Sequence, residues 1–194
     1  MASYELAPIR RQEPLIVERL RLAFPAQTFA LERVPPTLTL AEFKRVIRQA
    51  PFLGLAWAGM KPSPGNGREL RGAMQWRLYL ICRASNGLEA RFKGDRKDIG
   101  LDAMTDVALA LLHGASLKPV GATDVTNAQS LIADGYADDD IALCQIDFDF
   151  TFTSSPADFA LRNADAFSAL DLTWQIDGSP GPGVVPGLEE LHQT

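Results

Sequence analysis

The sequence predicts an α+β fold: a mixed, mainly antiparallel β-sheet with about three helices packed against it. Three observations lead there. The stretch Ala73 to Ala84 alternates apolar and polar residues with the period of a strand. Phe52 to Ala58 is a nearly continuous apolar run, the mark of a strand covered on both faces. Three other stretches repeat apolar residues at helical spacing. With 194 residues, 46% of them hydrophobic, the chain is long enough for one substantial core without a disulfide or a structural metal.

The first helix opens near Pro14, which suits a first helical turn, and carries Ile16, Leu20 and Phe24 on one face before Pro25 ends it. Thr28 to Val34 reads as a short strand, closed by Pro35-Pro36. The second helix has a capping box, Thr39 with Glu42, in which each side chain satisfies a backbone N–H left free at the helix start. Such a cap is worth roughly 1 kcal/mol. Leu38 is placed to pack on Phe43, and Phe43, Val46, Ile47 and Ala50 form the buried stripe up to Pro51.

After the apolar strand, Gly59 to Gly72 holds Pro62, Pro64, Gly65 and Gly67 with Lys61, Arg68 and Arg71, which predicts a long basic-tipped loop. In the next strand Trp76, Leu78, Leu80 and Cys82 share one face; Gln75, Arg77 and Tyr79 share the other. Ser85-Asn86-Gly87 is a turn signal, followed by a charged connection from Arg91 to Lys97. The third helix spans about Ile99 to His113, with Asp98 as N-cap and Leu101, Met104, Ala108, Leu111 and Leu112 inward. Gly114 follows as a helix-ending residue should. Leu117 to Thr126 and Gln129 to Ile132 are two short strand candidates. The last strand, Ile141 to Thr153, changes apolar phase from Ile141 and Leu143 to Ile146, Phe148, Phe150 and Phe152, which predicts a β-bulge near Cys144-Gln145. These elements define a domain over residues 1–153. Residues 154–194 form a C-terminal extension, with Leu172 to Ile176 a final strand or arm around Trp174 and alternating Gly and Pro from Gly178 to Gly187.

Composition removes several function classes. The net charge is -5, from 24 acidic and 19 basic side chains, and the basic residues are scattered apart from groups such as Arg10/Arg11 and Lys93, Arg96 and Lys97. A protein that reads DNA sequence concentrates Lys and Arg on one face. Cys82 and Cys144 each lie in an apolar run and read as buried thiols of a reducing compartment, with a disulfide open if their strands are neighbours. Met1 to Gln12 lacks the apolar stretch of a signal peptide, and no run approaches the roughly 20 residues of a membrane helix.

The chemistry-bearing residues are few. His113 falls in a helix end and His192 near the C-terminus, neither beside a nucleophile motif, and Cys and His are not at zinc-ligand spacing. Gly65-Asn66-Gly67 lacks the following Gly-Lys-Ser/Thr of a phosphate loop and leads into a strand, so it reads as a hairpin tip. Asp147 and Asp149 project from one strand face about 7 Å apart, near enough to share a divalent metal. The simpler reading is a solvated face, since Ile146, Phe148, Phe150 and Phe152 occupy the other. Asp138-Asp139-Asp140 lacks the glycine and distal glutamate of a calcium loop.

Read in order, the elements resemble the small tail proteins of Mu-like phages and prophages, the tail terminator or head–tail joining family. The matching stretches are Glu18 to Leu20, Ala50 to Leu55, Trp76 to Ile81, Gly100-Leu101 with Met104 to Val107, Gly114 to Gly121 and Asp140 to Phe148, over roughly residues 12 to 153. The resemblance implies a non-enzymatic virion protein whose copies form a ring, usually a hexamer. That ring caps the tail tube and joins it to the head connector, with DNA passing non-specifically through the channel. It implies the tail-tube and connector proteins as partners, and no cofactor, metal or membrane. On that basis Asp138, Asp139, Asp140, Asp147 and Asp149 are expected to face the channel, where an acidic wall repels phosphate. Lys61, Arg68 and Arg71 of the loop and Trp174, Val184 and Leu188 of the arm are expected at interfaces. The rival expectation is a small metal-dependent hydrolase using the Asp147/Asp149 pair.

Overall fold

The computed structural model describes residues 7–65, 69–84, 87–96, 99–131 and 140–159. Its strands are β1 (Ala30–Arg33), β2 (Phe52–Pro62), β3 (Leu70–Arg83), β4 (Ala115–Leu117), β5 (Gly121–Leu131) and β6 (Ile141–Ser154). Its helices are α1 (Pro8–Arg21), α2 (Leu40–Val46), α3 (Leu88–Lys93) and α4 (Leu101–Leu112). The strands form one sheet in the order β1-β2-β3-β6-β5-β4. Only β1 with β2 is parallel; every other pair is antiparallel. The predicted α+β class, mixed and mainly antiparallel, is the observed one. It carries a fourth helix, because α3 occupies part of the stretch expected to be a charged connection.

The sheet's first face packs on α1 and α4. Trp76, Leu78 and Leu80 of β3 and Ile146, Phe148 and Phe150 of β6 meet Ile16 and Leu20 of α1 and Met104, Ala108 and Leu112 of α4, all buried. Each large apolar side chain taken fully from water contributes about 1.5–3 kcal/mol. Polar groups lie inside this core too: the Trp76 indole N–H donates to Gln12 Oε1 at 2.9 Å, which satisfies the indole but leaves Gln12 Nε2 buried without a partner, and the Thr123 hydroxyl donates to the Leu112 carbonyl at 2.7 Å.

On the second face, α2 covers one end and no other described helix packs there. Phe43, Val46 and Ile47 pack there on Phe52, Ala56, Tyr79, Ile81, Ile141 and Leu143. This second cluster corrects the reading of β6. Its pairing with β3 runs without interruption from Ile141 to Ser154, so no bulge interrupts that pairing near Cys144-Gln145. The apparent change of phase arises because β6 is buried on both faces at its start. Ala142, Cys144 and Ile146 face the first cluster, while Ile141 and Leu143 face the second. The register shifts lie on the flanking strands, between Trp57 and Gly59 in β2 and between Val125 and Asn127 in β5.

Other details differ from expectation. α1 starts at Pro8, and Pro14 sits inside it; Pro14 is on the solvent side, where water can serve the carbonyl it leaves unpaired. Half of Gly59 to Gly72 is strand rather than loop, since β2 and β3 pair as far as Pro62 with Gly72. Gly72 is required there: a Cβ would come within 2.3 Å of the Lys61 carbonyl oxygen. The two short strand candidates after α4 become the single strand β5, with Thr126 as the extra residue at its shift, and the short β4 before it. The capping box is half formed: Thr39 Oγ1 accepts from the Glu42 N–H at 3.3 Å, while the Glu42 carboxylate turns to Arg45. α4 starts after Gly100 with no side-chain cap, and Asp98 lies outside the described residues. Cys82 and Cys144 are both buried thiols, not joined in a disulfide.

Candidate functional site

Among the described residues, no helix packs on the half of the second face beyond α2. Strand alternation puts Gln75, Arg77, Asp147 and Asp149 there, because their neighbours Trp76, Phe148 and Phe150 point into the first core. The two register shifts complete the surface. In β2, Trp57 and Met60 both pack on the first cluster, although an uninterrupted strand would send them to opposite faces. The shift therefore turns Lys61 to the second face, level with Ala73 and Thr151. In β5, Val125 packs on the core, while Asn127 pairs with Asp147 and Asp124 with Asp149. Both shifts follow the row Trp57, Trp76, Phe148 and Val125 that crosses the four strands.

Charges on this half are paired into a ladder. Arg77 Nε donates to Asp147 Oδ1 at 2.7 Å, and the Gln145 amide donates to Asp147 Oδ2 at 2.8 Å. Arg77 also donates to the Pro36 carbonyl at 3.0 Å, as does the Tyr79 hydroxyl at 2.7 Å, so the loop from β1 to α2 is tied to the ladder's upper end. The hydrogen bond to Asp147 holds the Arg77 guanidinium above its ordinary pKa against the opposing effect of burial. One row further, Lys61 Nζ lies 3.5 Å from Asp149 Oδ2, and Asp149 Oδ1 is buried without a hydrogen-bond partner. Asp124, next to Asp149 on β5, lies 3.3 Å from His113 Nδ1, with both side chains well exposed.

The expected site residues thus separate into groups. Asp147, Asp149 and Lys61 come together on one surface. Arg71 lies further along the hairpin, ion-paired with Glu69. Asp140 sits at the opposite end of β6 and accepts from Arg83 Nε at 2.9 Å, with its Oδ1 buried and unpartnered. Arg68, Asp138, Asp139, Trp174, Val184 and Leu188 lie outside the described residues. Arg77 and Gln145, which organise the ladder, were not among the expected site residues. Alternation places them on the right face, but Arg77 and Asp147 are 70 positions apart and only the strand pairing joins them.

A second feature lies on the other side of β5. An open groove of about 360 Å³ runs between α4 and the far half of β5, lined by Phe92, Leu101, Thr105, Ala128, Ser130 and Cys144 among others. Burial pushes the Cys144 thiol pKa up, which keeps it neutral and a weak nucleophile. Among the described residues no three His, Cys, Asp or Glu side chains are grouped to hold a metal ion. No described helix is long and apolar enough to cross a membrane.

No protein-family model matches the chain, and no curated protein does. Among solved structures, the fold is similar to a chain from the virion of a native gene transfer agent (GTA) particle. That similarity has 12% identity and a TM-score of 0.42, and covers 72% of this chain and 92% of the other.

Proposed function

We propose that this chain is a structural protein of a phage or prophage particle, of the tail-terminator or head–tail joining kind. Its copies close into a ring, a hexamer by the resemblance, that caps the tail tube and joins it to the head connector. The reading starts from the sequence resemblance over residues 12 to 153. The observation that carries it is the half-open second face with its paired ladder. A surface that DNA slides past must not hold phosphate, so its cations have to be engaged and its remaining charge has to be negative. Arg77 and Lys61 are held by Asp147 and Asp149, and Asp124 adds a further carboxylate.

In this reading Asp147 and Asp149, with the turn Asp138 to Asp140, face the channel. Lys61, Arg68 and Arg71 of the hairpin and Trp174, Val184 and Leu188 of the C-terminal arm meet neighbours or the tube. Lys61 then stands at the border of the two surfaces. The partners are other copies of the chain, the tube protein and the connector proteins, at the neck of the particle. The metal-hydrolase reading is the weaker one on geometry. Both oxygens of Asp147 already accept hydrogen bonds, so a divalent ion would have to displace a guanidinium and an amide.

Size-exclusion chromatography with light scattering, followed by negative-stain microscopy, tests the proposal on the full chain alone and mixed with tail tubes. The expected result is a ring, free or at a tube end. A monomer that forms no ring under either condition would overturn it.

A further inference from the structure

The two edges of the sheet are built differently. β1 closes one edge with four residues, flanked on both sides by ion pairs. Glu32 is held by Arg45 of α2, and Arg33 by Glu13 of α1 at 2.8 Å, with the Arg33 guanidinium 4.7 Å from the Trp76 ring centre. At the other edge β4 pairs only with Gly121 to Thr123. From Asp124 to Leu131, β5 is paired with β6 on one side, and among the described residues no strand pairs on the other. Its outer N–H and C=O groups form a template for a further strand.

We infer that this edge receives the segment Leu172 to Ile176 of a second copy of the chain, added as a strand beside β5. Three observations converge on that occupant. The chain continues past the described residues as 160–194, and within that stretch Leu172-Thr173-Trp174-Gln175-Ile176 alternates apolar and polar residues. The free edge separates a groove from a polar face in the same alternation: Val125, Ala128 and Ser130 lie toward the helices and Asn127 toward the ladder, while Gln129, paired with Gln145, also borders the groove. Ala128 and Ser130 are small, which leaves the groove between β5 and α4 open for side chains from a neighbouring strand. An indole buries roughly 150–250 Å². Trp174 seated between Thr105 and Ser130, with Leu172 and Ile176 on either side, fills that groove, while Thr173 and Gln175 join Asn127 and Gln129. Main-chain bonds supply affinity and the alternate side chains supply register.

The inference rests on the ring reading, which also decides the source of the strand. A ring closes through head-to-tail contacts in which donor and acceptor surfaces differ. An arm given to the neighbour's β5 is such a contact, whereas an arm folded onto its own β5 seals the edge and joins nothing.

The test uses the full-length chain with Trp174→p-benzoylphenylalanine, prepared in ordinary and ¹⁵N-labelled forms, mixed, and irradiated alone and with tail tubes. Light-to-heavy cross-links to the peptide 121–131 are expected. With them, Trp174→Asp weakens self-association about 30-fold, as loss of an interface tryptophan does. Amides from Asp124 to Leu131 should exchange more slowly as protein concentration rises. Rings whose cross-links fall elsewhere, or only within one isotopic form, overturn this inference and leave the ring reading standing. Absence of rings in every mixture removes both.

Discussion

The two halves of the sheet's second face share the same strands and differ only in what alternation delivers to them. At the α2 end the positions facing outward from the main core are Tyr79, Ile81, Ile141 and Leu143, and a helix covers them. Toward the hairpin the same positions are Arg77, Gln75, Asp147, Asp149 and Thr151, which no described helix covers and which a ladder of ion pairs ties together. The covered half contributes stability through burial. The open half keeps its charges ordered at little energetic gain, which suits a surface made to be presented.

That contrast can be broken most severely in the covered half. Phe52 is fully buried under α2, and Phe52→Ala should destabilise the fold by about 3–5 kcal/mol in denaturant titration. In the open half, Arg77→Met leaves the partly buried Asp147 with Gln145 as its side-chain partner. A loss of about 1–3 kcal/mol is expected, partly recovered when Asp147→Asn is added, and a double-mutant cycle reads the coupling. Back under α2, Thr39→Ala removes the observed helix cap and should cost about 1 kcal/mol in the same titration. Lys61, whose side chain is 59% exposed, marks the weak end of the ladder: Lys61→Met should change stability by under ~1 kcal/mol, and less again in high salt.

The smallest effect is one of pH. Beyond both halves, Asp158 fastens the end of β6 to α1. The Ser155 N–H, then the Ser154 hydroxyl, holds its carboxyl below the ordinary value of 3.8, with Arg11 assisting. Its contribution is therefore complete above the unfolded-state value and is lost as pH falls through the lower folded one. Asp158→Asn should leave melting above pH ~5 almost unchanged in its pH slope and flatten the acid limb below it.

Much of this architecture was legible in the sequence where the signal is local. The alternation of β3, the α2 cap at Thr39 and the buried stripe of α4 were all found as expected. Some local readings failed, the start of α1 and the short α3 among them, but the larger failures were long-range. Two-sided burial of β6 imitates a bulge, because Ile141 and Leu143 have their cover from α2, about a hundred positions away in the chain. Gly59 to Gly72 reads as loop because its Gly and Pro content hides a ladder that exists only through pairing with β3. The open face was half legible: alternation exposed Asp147 and Asp149. Their partners Arg77 and Lys61, and the shifts that turn Lys61 and Asn127 outward, follow from strand pairing that no local pattern carries.

The most direct measurement is an electron cryomicroscopy map of the full chain assembled at the end of a tail tube. The account predicts a ring in which Asp147 and Asp149 look into the central channel and the edge from Asp124 to Leu131 lies in a seam between subunits. A ring with those two carboxylates on its outer wall or buried in the seams, or a tube end bearing no ring, would contradict it.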